Sequence, residues 1–143
     1  FSVLTASQLR LNLILSVDVT GPLAWRIHVE NTNGEVFTEF LRDFLFPKTA
    51  MGFPRILLMD NCSAHGTPAV LATVTHTPHR LLYRPPHTPF WAPVEIVFAY
   101  IKNRLRARTH LLTSANLAEN INEIILNIPR HFFPRWFHHC GYA

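Results

Sequence analysis

Two acidic residues, Asp60 and Glu95, occupy positions from which their carboxylates could hold a divalent metal ion. Asp60 follows the short apolar run 56–59, which predicts a strand that is buried on both faces and ends at the acid. Glu95 comes two residues after Pro93, and proline is favoured in the first turn of a helix, where the helix dipole also stabilises an acid. One acid at a strand end and one at a helix start can share a metal ion through oxygen ligands.

Each of these acids has a simpler explanation when it is taken alone. Asp60 could form a turn with Asn61, and Glu95 could be an ordinary acid of a first helical turn. Only the pairing of the two in one context favours a metal site. Three other acids are poorer candidates for a metal ligand, because a local structural role explains each one. Asp18 lies in a turn, Glu30 is a charge at a strand end, and Glu35 is a helix-capping residue.

Basic residues follow Glu95 along the same predicted helix. At 100° per residue, Lys102 and Arg106 lie within about 20° of Glu95 around the helix axis, so this row could bind the phosphates of a polyanion beside the metal. Arg104 points elsewhere and is a weaker candidate. The whole basic set, which includes Arg108, is often no more than a solvated helix face.

Some of the histidines and both cysteines have side chains of the kind that bind zinc. Cys62 and His65 are separated by two residues, and the distant group His138, His139 and Cys140 offers the same ligand types. The two halves lack the paired spacing of a zinc finger, so zinc is the less favoured reading.

The elements that must position these residues alternate between strands and helices. A capping box formed by Thr32 and Glu35 begins the first helix, and Thr113 or Ser114 caps the last, which Pro129 ends. The predicted elements are, in order, a β-hairpin of strands at 10–17 and 24–30, a helix at 34–46, the strand at 56–59, a short helix at 68–74, a second buried strand at 80–83, a helix at 93–106, and a last helix whose inward residues run from 117 to 128.

The composition is that of a globular protein. The 143 residues are 48% hydrophobic and no linker divides them, so we expect a single domain over 1–143 with a C-terminal helical extension from about 112. Thirteen basic residues against nine acidic ones favour a polyanionic partner. No apolar run has the length of a membrane span, and two cysteines fit a reducing compartment, so the sequence predicts a soluble intracellular protein without a membrane partner.

Two segments are similar to a known family. MDNCSAH at 59–65 and RPPHTPFWAPVEIVFAYIKNRLR at 84–106 resemble the second and third acidic motifs of the mariner-like DDE transposases. Glu95 lies 35 positions after Asp60, a spacing found in one large branch of that superfamily. The resemblance extends upstream through 11–46 and downstream to WFHHCGY at 136–142, so it covers most of the chain.

The resemblance implies an α/β, ribonuclease-H-like fold with a mixed sheet flanked by helices. It implies a transposase or integrase-type catalytic domain that uses Mg²⁺ or Mn²⁺, two ions in the complete enzyme, for in-line attack on a phosphodiester. Asp60 and Glu95 would be catalytic metal ligands. Lys102, Arg106 and His65 would contact DNA, although a structural hydrogen bond explains His65 equally well. DNA is the implied partner, a homodimer could form the transposon-end complex, and the nucleus is the implied location.

Departures from the family pattern argue against activity of this chain. The first catalytic Asp has no counterpart, because residues 1–10 contain no acid, and the first strand of the fold is expected to be missing or degenerate. Ala92 stands where the family usually has Asn, and Phe90 with Trp91 replaces a common Asp-Leu pair. We therefore expect the isolated chain to be inactive as a transposase.

Two other functions remain open from the sequence. The missing acid and Ala92 favour a non-catalytic, domesticated or decayed remnant that binds nucleic acid, whereas the intact Asp60 and Glu95 weigh against long decay. A nuclease of the same fold that acts on RNA or hybrids rests on fold analogy alone.

Overall fold

The computed structural model describes residues 2–6, 9–50, 52–60, 62–84 and 92–142. The chain forms two compact units: unit 1 is Phe1–Glu30 with Phe90–Ala143, and unit 2 is Asn31–Pro89. The elements are, in chain order, β1 (Ser2–Ala6), β2 (Leu9–Asp18), β3 (Gly21–His28), α1 (Gly34–Phe40), a π-helical turn (Leu41–Leu45), α2 (Phe46–Thr49), β4 (Ile56–Met59), α3 (Pro68–Thr75), β5 (Arg80–Tyr83), α4 (Pro93–Ala107), a 3₁₀ turn (Thr109–Leu111), α5 (Leu117–Leu126) and α6 (Phe132–His139).

The sheet of unit 1 is antiparallel, in the order β1-β2-β3. Strands β2 and β3 form the predicted hairpin, which is confirmed. The structure adds β1, which pairs with β2 from Ser2 opposite Leu13 to Ala6 opposite Leu9. Strand β1 was missed because its five residues carry little hydrophobic pattern, and it forms because the ten-residue β2 offers it an edge to pair with. It contains no Asp or Glu, so it supplies no counterpart of the first catalytic Asp.

The hairpin turn accounts for Asp18. The Asp18 carboxylate accepts hydrogen bonds from the backbone N–H of Thr20 at 2.8 Å and from the Thr20 hydroxyl at 2.5 Å. Gly21 follows with φ of 137°, a conformation that a residue with a side chain rarely adopts. The predicted backbone role of Asp18 is therefore confirmed.

The core of unit 1 lies between this sheet and the helices of the same unit. Alternate side chains of β2, among them Leu13 and Leu15, pack with one stripe of α4 and the inner face of α5. Phe133 of α6 completes the cluster and is fully buried. The other buried members are Val97, Phe98, Ile101, Leu105, Leu117, Ile121, Ile124, Ile125 and Ile128, so the predicted inward faces of both helices are confirmed.

The C-terminal part differs from prediction in two respects. Before α5, Thr113 and Asn116 exchange hydrogen bonds through their side chains and backbone N–H groups. The predicted cap at Thr113 or Ser114 is wrong, because α5 begins at Leu117 and its N-cap is Asn116. The helix that Pro129 ends is not the last, because α6 follows. Helix α6 was overlooked although Phe133, Trp136 and Cys140 recur at helical spacing. None of the described helices combines the length and the apolar character needed to cross a bilayer.

Unit 2 begins with a cap that differs from the predicted one. The N-cap of α1 is Asn33, whose side chain accepts from the N–H of Val36 at 2.9 Å. The capping box assigned to Thr32 and Glu35 is therefore wrong: the extended backbone of Asn33 puts its own short amide within reach of that N–H. The helical segment also runs on to Thr49 through a π-helical turn, past the predicted end at 46.

Strands β4 and β5 of unit 2 form a parallel pair, with Ile56 opposite Arg80 and Met59 opposite Tyr83. Their bounds agree with prediction, and so does α3. The burial does not: Ile56 is 68% exposed and Leu82 is 54% exposed. The prediction of strands buried on both faces is wrong because, among the described residues, these strands pair only with each other and leave part of their surface to solvent.

Replacing Ile125 with Ala should destabilise the chain by about 2 to 5 kcal/mol, because the side chain is fully buried and its removal leaves a cavity. The neighbouring Leu126 is 58% exposed, so Leu126→Ala should change stability by less than about 0.5 kcal/mol. Urea unfolding followed by circular dichroism measures both. Equal effects of the two variants would contradict the assignment of the buried face of α5.

Candidate functional site

Asp60 lies at the carboxyl end of the parallel pair in unit 2. It follows Met59, the last residue of β4, and the backbone N–H of Arg84 donates to the Met59 carbonyl at 2.8 Å just beyond the end of β5. The Asp60 side chain is 61% exposed. The acid therefore stands at the edge of a parallel sheet where α/β proteins usually build their sites, and its carboxylate is open to solvent.

A tight turn brings His65 back to Asp60. The His65 backbone N–H donates to the Cys62 carbonyl at 3.1 Å, which closes the turn. The His65 Nδ1 atom then lies 2.9 Å from the Asp60 carbonyl oxygen and 2.8 Å from its carboxylate Oδ1. Both partners are acceptors, so Nδ1 carries the proton and donates it to Asp60. The bond restricts the orientation of the Asp60 carboxylate.

The imidazole of His65 is fixed by its surroundings. Its side chain is only 6% exposed, and its ring centroid lies 4.3 Å from that of Phe37 on α1. The hydroxyl of Tyr83 on β5 donates to the His65 carbonyl at 2.8 Å. Burial lowers the pKa of His65, and the hydrogen bond and negative charge of Asp60 oppose that shift in part. The site therefore holds a neutral histidine at neutral pH.

Cys62 joins the same cluster. One ligand atom from each of Asp60, Cys62 and His65 lies within 4.8 Å of the other two. Burial raises the pKa of the half-buried Cys62 thiol. Sequence reasoning considered Cys62 with His65 but did not add Asp60, although the spacing Asp-x-Cys-x-x-His was visible. The other group with zinc-binding side chains, His138 to Cys140, for which the sequence disfavoured zinc, lies at the end of α6 in unit 1.

Glu95 belongs to unit 1. It is the third residue of α4, half-buried, and its N–H donates to the carbonyl of Ala92 at 2.9 Å. Ala92 caps the helix without a side-chain hydrogen bond, as its methyl side chain requires. Each acid thus has the local position expected of it, Asp60 in unit 2 and Glu95 in unit 1. The loop residues Pro85, Pro86, Pro89, Phe90 and Trp91 lie outside the described residues.

The basic residues of α4 differ in what they contact. Arg108 donates to Asn120 at 3.1 Å and pairs with Glu123 at 3.3 Å, so it ties α4 to α5. Arg104 lies over the ring of Tyr100, 5.0 Å from its centroid. Lys102 is half-buried, and the exposed Arg106 makes a hydrogen bond to Asn103 at 3.0 Å. Of these four basic residues, Lys102 and Arg106 are the two that helical spacing places on the Glu95 side of α4.

Comparison with protein families identifies the chain. A family model described as a DDE superfamily endonuclease matches residues 3–118. The chain belongs to the DDE superfamily of endonucleases. A comparison with curated proteins found no match.

Solved structures support the same assignment at the level of fold. The catalytic domain of Mos1 mariner transposase matches with a TM-score of 0.73 and 16% identity over 90% of this chain and 68% of that one. The same domain with raltegravir and Mg gives 0.78 and 15% identity over 96% of this chain and 73% of the other. A Mos1 paired-end complex with the left transposon end gives 0.72 and 19% identity, and there the matched part is 40% of the Mos1 chain. The predicted likeness to mariner-like DDE transposases and their ribonuclease-H-like α/β fold is confirmed.

Replacing Asp60 with Asn should lower the pKa of His65, because the amide oxygen still accepts from Nδ1 but the negative charge that favours the imidazolium is lost. An NMR titration of the histidine side chains measures this pKa. The exposed His76 at the end of α3 provides a reference signal that should not respond to the substitution. A His65 pKa that stays the same or rises would contradict the bond between the two residues.

Proposed function

We propose that this chain is part of the catalytic domain of a mariner-like DNA transposase, which cleaves and joins phosphodiester bonds with the help of divalent metal. The observation that carries the proposal is the solvent-exposed Asp60 carboxylate at the carboxyl edge of β4 and β5, held by His65, in a chain of the DDE endonuclease family. The fold similarity to Mos1 catalytic domains, one described with Mg and another with Mn, supports it.

Asp60 and Glu95 are the proposed metal ligands. Their carboxylates offer the hard oxygen donors that Mg²⁺ and Mn²⁺ prefer, and the 61% exposed Asp60 side chain is accessible to a hydrated ion. When bound, two such ions would lower the pKa of an attacking water or 3′-hydroxyl and would neutralise charge on the attacking and leaving oxygens. His65 orients Asp60 through Nδ1–H, which is the role its burial favours over direct contact with a phosphate.

Lys102 and Arg106 are the proposed DNA contacts. They follow Glu95 along one face of α4 at about 10 and 16 Å, since a helix rises about 1.5 Å per residue. A DNA strand that passes the acid could therefore place phosphates on this row. The wider proposal includes DNA as the partner and a homodimer in a transposon-end complex, and the Mos1 paired-end complexes support this part. It also includes a nuclear location, because the nucleus is where a eukaryotic transposase would meet its DNA.

The chain as it stands should lack efficient cleavage activity. Only two of the three carboxylates are present, since β1 carries no acid, and one metal ion would therefore be poorly held. We expect no efficient nicking of supercoiled plasmid in the presence of Mn²⁺. Efficient nicking that Asp60→Ala abolishes would overturn this expectation and show that another acid completes the site.

Binding of Mn²⁺ tests the proposed pairing directly. Asp60→Asn and Glu95→Gln should each weaken Mn²⁺ binding by roughly tenfold or more, because each removes a ligand of one shared ion. Glu119→Gln removes the same charge from an exposed position of α5 and should have little effect. Paramagnetic relaxation of water protons reports the bound ion. If only one of the two site variants weakens binding, the acids do not share an ion and the proposed function fails.

Replacing both Lys102 and Arg106 with Ala should weaken DNA binding and flatten the plot of log K against log salt by up to about two units, one per phosphate contact. The double variant Arg104→Ala with Arg135→Ala loses the same charge from other exposed positions and should leave the slope nearly unchanged. Fluorescence anisotropy at several salt concentrations measures the slope. Equal slopes for the two double variants would show that the row has no special role.

A non-catalytic remnant that binds nucleic acid is the second candidate. The acid-free β1 and the Ala92 cap without a side-chain hydrogen bond favour it. Such a remnant is expected to bind DNA in the same way, but it is not expected to bind Mn²⁺ through Asp60 and Glu95. Retained salt-dependent DNA binding together with Mn²⁺ binding that neither Asp60 nor Glu95 influences would support the remnant.

A further inference from the structure

The turn after β4 carries three side chains that can bind a metal ion. Asp60, Cys62 and His65 present one oxygen, one sulfur and one nitrogen whose positions all lie within 4.8 Å of one another. Oxygen alone suits Mg²⁺, but sulfur and imidazole nitrogen are the donors that select zinc and similar ions. We propose that these three side chains form a binding site for a thiophilic divalent cation, Zn²⁺ above all, with water as the fourth ligand.

The distances require only small movements. A tetrahedral zinc ion with bonds of about 2.0 to 2.3 Å places its ligand atoms about 3.3 to 3.6 Å apart. The Nδ1 of His65 and the Oδ1 of Asp60 are now 2.8 Å apart, so they must separate by about half an ångström. The Cys62 sulfur lies within 4.8 Å of the other two ligand atoms, so each of these two distances must close by no more than about 1.3 Å.

Zinc would take the place of the proton that now lies between Nδ1 and Asp60. The imidazole proton would move to Nε2, and the Cys62 thiol would release its proton to solvent, so binding frees one proton. His65 is positioned for this role, because its ring packs against Phe37 and its backbone carbonyl accepts from the Tyr83 hydroxyl. Three protein ligands and one water is a common arrangement for zinc sites with an open position.

This site differs from the proposed Mg²⁺ or Mn²⁺ site in what it needs. It requires Cys62, which the transposase proposal does not use, and it does not require Glu95. Zinc binding can therefore be observed even if the transposase proposal fails. Likewise, the transposase proposal can hold even if the chain does not bind zinc. Asp60 is common to both sites, whereas Cys62 belongs only to the zinc site and Glu95 only to the carboxylate site.

Metal titration of the full chain tests the proposal. After treatment with a chelator, the chain should bind one Zn²⁺ by isothermal titration calorimetry, and a large excess of Mg²⁺ should not displace it. With Co²⁺ as a spectroscopic substitute, the complex should show the near-ultraviolet charge-transfer absorption of a cobalt–thiolate bond. Absence of this absorption from the wild-type chain, or absence of Zn²⁺ binding, would overturn the proposal.

The variants separate this site from other thiols and from the carboxylate pair. Cys62→Ser should abolish the cobalt–thiolate absorption and lower Zn²⁺ affinity by more than about tenfold. Loss of a residue that only hydrogen-bonds to a metal ligand already costs about tenfold in affinity, and Cys62 is proposed as a ligand itself. Cys140→Ser removes the other cysteine and Glu95→Gln the other acid, and both should retain the absorption and the affinity. Absorption that persists in Cys62→Ser, or that disappears in Cys140→Ser, would overturn the assignment.

Discussion

Burial of one face of α4 is the constraint on which unit 1 depends. Val97, Ile101 and Leu105 are almost fully withdrawn from water, and they fix the rotation of the helix against β2 and α5. Once that rotation is set, the position of every other residue around the helix follows from the 3.6-residue period. The same burial that stabilises the unit therefore places Glu95, Lys102 and Arg106 together along another side of α4.

The second constraint is the buried imidazole of His65 in unit 2. A buried N–H without an acceptor costs free energy, and the turn after β4 provides two acceptors on Asp60. Tyr83 and Phe37 hold the histidine from β5 and α1. A carboxylate that would otherwise be a mobile group at a strand end is thereby given a restricted orientation, which is a requirement for any metal ligand.

The two constraints bear on how the chain diverges from an enzyme of its family. Asp60 accepts hydrogen bonds from His65, and one face of α4 is buried in the core, so each of the two acids lies on a well-anchored element. What this chain lacks is an acid in β1, and Ala92 has no polar side chain to cap α4.

The sequence by itself determined most of the elements, because hydrophobic periodicity and capping act locally. The hairpin, α3, α4 and both strands of unit 2 were predicted, as were the inward faces of α4 and α5. It also determined the family, because the acids and their neighbours form contiguous motifs at a specific spacing. The cap at Asn33 was misassigned because two neighbouring polar residues can each begin the helix, and only the backbone conformation selects between them.

Only the tertiary structure decided which distant groups meet. The strand character of β1 depends on pairing with β2, and β4 is exposed because, in the part of the chain that the structure describes, it pairs only with β5. The cluster of Asp60, Cys62 and His65 depends on a turn that folds the chain back on itself and on Tyr83 and Phe37, which come from other elements. Local pattern could not give these, because pairing and burial are set by contacts between residues far apart in the sequence.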